Sequence, residues 1–224
     1  MTESASLLSA YSVSDAFRAS WDFLLKGGIF MVPLCVTSVV GMTAILYKFL
    51  SLSQTRVIPP ELARKVAGFQ GLISTDRIEP VLKEFEKGES TLARLSAVAV
   101  QHRGKPQRDI ILAVEASARE ETSRLHAGIG VLDIVITVAP LLGLLGTASG
   151  LVTIFQGLSD AADHLAIARG IAEALNTTIF GLAIAVPCVV AHGHFTRRIE
   201  VLTARLESLL ADLAHVCQKA APKG

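Results

Sequence analysis

The sequence predicts an all-α membrane protein with three transmembrane helices, two of which extend into a cytoplasmic helical bundle. Of its 224 residues, 51% are hydrophobic and only 18% are charged, and the mean hydropathy is +0.50. Three stretches of 21, 26 and 23 residues (27–47, 134–159 and 174–196) contain no Asp, Glu, Lys or Arg. Because about 20 apolar helical residues span a bilayer core, each stretch is long enough to cross a membrane. The composition therefore excludes a purely soluble protein.

The distribution of lysine and arginine predicts the orientation. Residues 48–133 and 197–224 together contain 18 of the 21 basic residues, while 1–26 and 160–173 contain three. Cytoplasmic segments accumulate Lys and Arg, so the N-terminus is expected outside and the C-terminus inside. The predicted order is an outer N-terminal amphipathic segment (1–26), span one (27–47), a cytoplasmic helical segment (48–133), span two (134–159), an outer connector (160–173), span three (174–196) and a cytoplasmic helical tail (197–224).

Apolar periodicity predicts the helices outside the spans. Val13, Phe17, Trp21 and Leu24 recur at helical spacing, which is typical either of a helix in the outer interface or of a first-turn extension of span one. Within the inner segment, short helices are expected over 61–70, 76–87 and 89–103, separated by Gly71, Gly88 and Gly104.

Two spans are expected to continue as helices beyond the membrane. From Gln107 the apolar pattern runs without interruption into span two, which predicts one helix over 107–159. Span three continues past Arg198, with a stripe formed by Ile199, Leu202, Leu206, Leu209, Leu213 and Val216. Exposed stripes of this kind require partners, so a bundle or an oligomer is expected.

The sequence lacks the motifs of an enzyme, a metal site or a nucleic-acid-binding protein. No phosphate-binding loop, nucleophile elbow or HExxH is present. His192 and His194 lie about 200° apart on a helix and cannot hold one metal ion from a single face. The net charge of +1 argues against nucleic-acid binding. No cofactor and no metal are therefore expected, and the three cysteines are interpreted as small buried apolar residues.

Span two carries a stripe of small and hydroxyl residues. Gly143, Thr147 and Gly150 share one face, and Gly146 with Gly150 forms a GxxxG motif. Small residues let membrane helices approach closely, and threonine hydroxyls hydrogen-bond across the contact. Helix packing alone explains the motif, but the position of Thr147 near the middle of the span also favours a functional role.

Span three has a second polar face. Glu173 lies at its outer edge, where it is either a functional group or a solvated residue at headgroup level. Thr178 and Gly181 share a narrow stripe of small residues, and Thr177 lies one turn below Glu173.

No span carries a carboxylate, a lysine or a histidine near its centre. Proton movement across a bilayer requires a titratable or water-lined route, and threonine does not titrate at physiological pH. If this chain conducts protons, another polypeptide must supply the titrating group. Otherwise the chain is a passive oligomeric membrane scaffold. An autonomous small-solute transporter is the weakest alternative, because inverted repeats and a central charge are both missing.

The motifs in spans two and three resemble those of the MotA/TolQ/ExbB proton channel family. The resemblance rests on Leu-Leu-Gly-Thr147-Ala-Ser-Gly-Leu and on Gly-Ile-Ala-Glu173-Ala-Leu-Asn-Thr-Thr178 followed by Gly-Leu-Ala-Ile-Ala-Val-Pro187. It is specific over 130–200 and extends as topology over nearly the whole chain. Three spans and the chain length resemble ExbB and TolQ more than MotA, which has four spans.

The resemblance implies a partner and a site. It implies a homopentamer in a bacterial inner membrane that encloses single-span partners of the ExbD/TolR type, whose membrane Asp carries the proton. Thr147 and Thr178 would line the channel opposite that Asp, with Glu173 at the periplasmic mouth. Proton flow would drive rotation of the partner helices, and a TonB- or TolA-like protein would transmit the force to the outer membrane. Asn176-Thr177 departs from the family pattern, so the sequence leaves open which of Thr177 and Thr178 faces the channel.

Overall fold

The computed structural model describes residues 29–74, 79–156 and 164–219. These ranges contain helices and loops and no strand, which confirms the all-α prediction. The predicted interfacial helix around Trp21, the first two residues of span one and residues 157–163 lie outside the described residues. The helices are α1 (Met31–Ser51), α2 (Gln54–Val57), α3 (Pro60–Ala67), α4 (Phe69–Ser74), α5 (Glu79–Lys87), α6 (Thr91–Gln101), α7 (Gln107–His126), α8 (Ile129–Gln156) and α9 (His164–Lys219).

In the part of the chain that the structure describes, three helical stretches are long and apolar enough to cross a membrane, as predicted. They are Met31–Ser51, Gln107–Gln156 and Ile167–Lys219, of 21, 50 and 53 residues. The last two exceed the roughly 20 residues that a bilayer core requires, so their charge-free parts are taken as the membrane-spanning segments. Large apolar side chains remain exposed along all three, among them Val39, Leu144 and Val190 with exposed fractions of 66%, 61% and 69%. Exposed apolar surface of this extent indicates contact with lipid or with other protein chains.

The chain divides into two compact units. The first comprises Met1–Ala44 and Val131–Val190, so far as these residues are described. Within it, α1 packs against α8 and α9 at Gly41. A Cβ atom added at Gly41 would lie 3.0 Å from the Cys188 sulfur and 3.1 Å from a Val135 methyl group. The missing side chain therefore permits the close approach of three helices.

The second unit comprises Ile45–Gly130 and Ala191–Gly224, so far as these residues are described. Its centre is α6, which contacts α2, α3, α5 and α7. Ser90 caps α6 by accepting a hydrogen bond from the Ala93 N–H at 3.1 Å. Such a cap satisfies one of the free N–H groups of the first turn and contributes about 1 kcal/mol. Leu92, Leu95 and Ala99 are fully buried, so this helix forms the core of the unit.

The predicted continuation of span three is confirmed, with a shifted stripe. Helix α9 runs unbroken to Lys219 and begins at His164, ten residues before the predicted start of the span. The buried residues in its second half are Phe195, Ile199, Leu202, Leu206, Leu210, Leu213, Ala214 and Cys217. Leu210 and Cys217 thus take the places expected for Leu209 and Val216, which are half-buried.

The prediction of one helix over 107–159 is wrong, because the helix is interrupted before the membrane. α7 ends at His126, and α8 begins at Ile129 after Ala127 and Gly128. Gly128 has a φ of +85°, in the left-handed region that favours glycine and commonly terminates helices. The buried Lys48 donates a hydrogen bond from Nζ to the Leu125 carbonyl at 2.7 Å, so a cation satisfies one of the last carbonyls of α7.

The expected break at Gly71 is also displaced. Gly71 lies inside α4, and the interruption falls at Gly68, whose N–H donates to the Arg64 carbonyl at 3.0 Å. The breaks at Gly88 and Gly104 occur as predicted. A glycine does not by itself end a helix, because glycine also adopts helical dihedral angles.

Candidate functional site in the α8–α9 contact

Small residues bring α8 and α9 into close contact. A Cβ atom added at Gly143 would lie 2.8 Å from the Thr177 carbonyl oxygen, and one added at Gly150 would lie 2.7 Å from the Ala174 Cβ. Real Cβ atoms do not approach other atoms so closely. Glycine at these positions therefore sets the distance between the two helices, as small residues do at membrane helix interfaces.

Two more glycines of the stripe lie in the same contact. A Cβ added at Gly146 would lie 2.6 Å from the Thr177 hydroxyl, and one added at Gly181 would lie 2.5 Å from the Ala139 carbonyl oxygen. All four glycines singled out from the sequence thus lie in the α8–α9 contact: Gly143, Gly146 and Gly150 face α9, and Gly181 faces α8. Ala139 is an additional contact that the sequence reasoning missed, although it lies one turn before Gly143 on the same stripe.

The hydroxyls of Thr147 and Thr178 are hydrogen-bonded to each other across the contact. The Thr178 hydroxyl also lies 3.0 Å from the Gly143 carbonyl, and the Thr147 hydroxyl lies 3.1 Å from the Ala174 carbonyl. Both side chains are half-buried. A threonine hydroxyl has one proton and two lone pairs, so each can donate one bond and still accept others. The pair has more acceptors than protons within reach, and its hydrogen bonds can rearrange.

Thr177 occupies a different place from Thr178. It is 2% exposed, and its hydroxyl reaches the Ala174 carbonyl at 2.8 Å and the Gly143 carbonyl at 3.0 Å. These are the carbonyls that Thr147 and Thr178 also approach. Thr177 is therefore packed inside the helix contact, whereas the Thr147–Thr178 pair lies at its edge.

Glu173 lines a cleft of about 410 Å³ along the α8–α9 contact. Ser149 and Thr153 of α8 also line it, together with Gly150 and Gly170. Glu173 is half-buried. The cleft extends along the contact to Gly146 and Thr177, which adjoin Thr147 and Thr178 of the hydroxyl pair in the chain.

The hydroxyls of Thr147 and Thr178 can exchange hydrogen bonds with a carboxyl group. None of the hydrogen bonds described for this pair comes from a carboxyl group of the chain itself. Within the described ranges, no three His, Cys, Asp or Glu residues lie close enough together to hold a metal ion. The role of the Gly143 and Ala174 carbonyls as shared acceptors could not be predicted, since backbone acceptors leave no signal in residue types. Only the small residues that expose them are readable in the sequence.

The second unit contains an ion pair between a buried glutamate and a partly exposed arginine. Arg94 binds Glu121 through two hydrogen bonds, from Nε at 2.8 Å and from a terminal nitrogen at 2.5 Å. Glu121 is 7% exposed and also accepts from Arg124 at 3.3 Å. The hydrogen bond from Arg94 holds the pKa of the Glu121 carboxyl below its ordinary value. This pair joins α6 to α7.

Fold and site define the chain as a polytopic helical membrane protein whose central intramembrane polarity consists of threonine hydroxyls. A model of the MotA/TolQ/ExbB proton channel family matches residues 84–208, which is more than half of the chain. The chain belongs to that family. The matched range includes α8, the spanning part of α9 and all of the glycines and threonines of the α8–α9 contact.

Named relatives agree with this assignment. The protein named ExbB-like 1 of Synechocystis sp. is 32% identical over 172 residues, which cover 74% of this chain and 66% of that protein. ExbB of Pseudomonas putida is 27% identical over 86% of this chain and 59% of its own length. TolQ of Pseudomonas aeruginosa is 37% identical over 42% of this chain and 41% of its own length. The chain thus spans about two thirds or less of these relatives.

Family membership fixes the class of protein. The chain is a member of a proton channel family, and its named relatives are of the ExbB and TolQ types. Three apolar helices together with these relatives indicate a protein of the inner membrane.

Proposed function

We propose that this chain is the proton-channel subunit of an inner-membrane motor driven by the proton motive force. Copies of the chain form a homopentamer around single-span partners of the ExbD/TolR type, each with a membrane Asp. The N-terminus is periplasmic and the C-terminus cytoplasmic, consistent with the distribution of basic residues. A TonB- or TolA-like protein transmits the force to outer-membrane transport or to another envelope process.

The observation that carries the proposal is the hydroxyl pair of Thr147 and Thr178. Both side chains are half-buried at the edge of the α8–α9 contact and hydrogen-bonded to each other. A threonine hydroxyl that only stabilises the contact between two helices is expected to be fully buried, as that of Thr177 is. We therefore assign Thr178, and not Thr177, to the channel surface.

The pair suits a carboxyl group in both protonation states. A protonated acid donates its proton to a threonine oxygen, and an ionised carboxylate accepts the O–H proton. The hydroxyls turn between the carboxylate and their own backbone acceptors, the Gly143 and Ala174 carbonyls. The partner Asp can thus lose and regain a proton without leaving an unsatisfied polar atom in the membrane.

Glu173 lies at the outer mouth of the proposed proton pathway. The cleft that it lines contains Ser149 and Thr153 and is large enough for water. Protons would pass from this cleft to the partner Asp beside Thr147 and Thr178. Each proton releases about 2.3 kcal/mol per 100 mV, so several must pass in one mechanical step.

Proton flux in liposomes tests the proposal. The chain is co-expressed with a single-span partner of the ExbD/TolR type, and the purified complex is reconstituted with a pH-sensitive dye inside the vesicles. Thr147→Val and Thr178→Val are each expected to reduce flux about 10- to 100-fold, because a hydrogen bond to a charged group contributes about 1.5–3 kcal/mol. Assembly should be unchanged, because valine has nearly the same shape.

Thr137→Val is the matched control. Thr137 lies on α8 in the same span, and its exposed hydroxyl donates to the Asp133 carbonyl of its own helix at 3.0 Å. Its flux should equal that of the unmodified complex. Equal flux in all three variants would refute the channel proposal and favour a passive scaffold, for which Gly146→Leu should break the oligomer while the valine variants remain harmless.

A further inference from the structure

An apolar groove of about 640 Å³ lies in the second unit, between α6, α7 and α9. Its lining includes Leu95 of α6, Val114 of α7, and Leu206 and Leu210 of α9, which are buried, together with half-buried Ala118 of α7. The groove lies outside the predicted membrane spans and is not part of the hydroxyl site. A cavity of this size and openness can accept side chains from another helix.

The charge at the edge of the groove is mainly acidic. Exposed Glu115 of α7 and Glu207 of α9 border it, with Arg119 beside them. A fourth charged residue, Glu121, is already bound by Arg94 and Arg124. An occupant with an apolar centre and flanking basic residues would complement this edge.

The opposite face of α9 has this character. Val201 is 58% exposed, the only large apolar residue so exposed on the described part of α9 after Val190. Arg197 and Arg205 flank it one turn away on each side, and both are exposed.

Helical geometry places this face directly behind the groove. Arg197, Val201 and Arg205 each precede a groove residue by nine positions, which corresponds to about 180° around a helix of 3.6 residues per turn. The groove residues in question are Leu206, Leu210 and Ala214. One helix therefore carries a concave apolar surface on one face and a basic, apolar ridge on the other.

We propose that the groove of each copy receives the Arg197–Val201–Arg205 face of a neighbouring copy. Because the two surfaces differ and lie on opposite faces, the contact is heterologous. Repeating it builds a ring when the rotation between copies closes and an open filament when it does not, and the homo-oligomer of the proposed function is the closed case. Val201 fills the apolar groove, and the two arginines face the acidic edge. The inference rests on the homo-oligomer of the proposed function and names the contact that closes it.

Cysteine cross-linking tests the contact. Two full-length variants are made, one with Val201→Cys and one with Ala118→Cys. Each is co-expressed with the partner, either alone or together with the other variant, and the purified complexes are oxidised. A disulfide forms only when the two Cα atoms lie within about 7 Å. The expected result is a covalent dimer only when both variants are present, and a ladder up to the closed ring from the double variant.

Two controls make the test specific. Ala116→Cys replaces Ala118→Cys, since Ala116 is exposed on α7 about 200° from Ala118 and does not line the groove. The mixture with Val201→Cys should then give no dimer. The unmodified chain is oxidised in parallel because it contains Cys35, Cys188 and Cys217.

The oligomeric state is measured in the same samples by native mass spectrometry. A homo-oligomer without the Val201–Ala118 link overturns the inference and leaves the proposed function standing. A dimer from Val201→Cys alone indicates a two-fold contact and also overturns it. A monomeric chain refutes both. Disulfide formation between the groove cysteine and a different protein identifies another occupant and overturns the inference.

Discussion

Gly146 of α8 lies directly against the hydroxyl of Thr177 on α9, with no room between them for a side chain. A Cβ at Gly146 would be 2.6 Å from the Thr177 oxygen and 2.8 Å from its Cβ. Both neighbouring atoms lie close to the backbone and cannot move without moving α9. The contact therefore depends on glycine at this position.

Gly146→Ala should destabilise the protein by about 1–3 kcal/mol, because overpacking forces the helices apart. The measurement is thermal unfolding in detergent followed by circular dichroism. Gly193→Ala on α9 is the matched control, since no atom lies within 4 Å of its added Cβ. That variant should be neutral or more stable by up to about 1 kcal/mol through helix propensity. Equal stability of the two variants would contradict the close packing.

Thr177→Val should lower stability without lowering proton flux. The substitution removes the hydroxyl that reaches the Ala174 and Gly143 carbonyls, and a hydrogen bond of this kind contributes about 1 kcal/mol. Thr177→Ser keeps the hydroxyl and should recover most of that loss. Unfolding temperature and liposome flux are measured on the same preparations. If Thr177→Val abolishes flux while Thr178→Val does not, the assignment of Thr178 to the channel surface is wrong.

The stability contributed by Glu121 should disappear in acid. Its pKa is lowered in the folded protein, mainly by the hydrogen bond from Arg94, so the ionised form stabilises the fold above the unfolded pKa. The contribution is lost as the pH falls from the ordinary glutamate pKa of about 4.3 through the lower, folded value. Unfolding temperatures of the unmodified chain and of Glu121→Gln, measured from pH 7 to pH 3, should therefore converge in acid.

Glu120→Gln is the control for that experiment. Glu120 precedes Glu121, and its side chain is 68% exposed in an ion pair with Arg124. Exposed pairs contribute little, so this variant should match the unmodified chain throughout the pH range. A constant gap between Glu121→Gln and the unmodified chain down to pH 3 would show that the carboxylate charge is not what stabilises the contact.

The spans and the small-residue stripes were predictable because both depend on residue types at fixed spacing. The absence of charge over 134–159 identifies a span, and Gly143, Gly146 and Gly150 recur at helical steps. The separation of Thr177 from Thr178 was not predictable. The two are adjacent in sequence and identical in chemistry, and only the rotation of α9 against α8 buries one and leaves the other half-buried.

The interrupted helix at Gly128 was missed for a related reason. The apolar pattern continues on both sides of the break, and periodicity alone does not register an interruption at a single glycine. The usual signs of a helix C-terminus are nevertheless present. The basic residues Arg124 and His126 lie in the last turn of α7, and Gly128 follows shortly after. Lys48, which completes that terminus, is 77 residues from Leu125 in sequence.

Gly128→Ala should therefore destabilise the chain by about 1–2 kcal/mol, since an L-residue is strained in the left-handed conformation. Crowding by neighbouring atoms does not cause this loss of stability, because the atom nearest to an added Cβ is the Lys48 Cε, at an ordinary contact distance of 3.5 Å. Gly128→Asn separates strain from crowding, since asparagine is larger but tolerates this conformation better. Thermal unfolding in detergent should rank the proteins as unmodified, Gly128→Asn and Gly128→Ala in order of falling stability. If Gly128→Ala equals or exceeds the unmodified chain in stability, the uninterrupted helix over 107–159 is the better description.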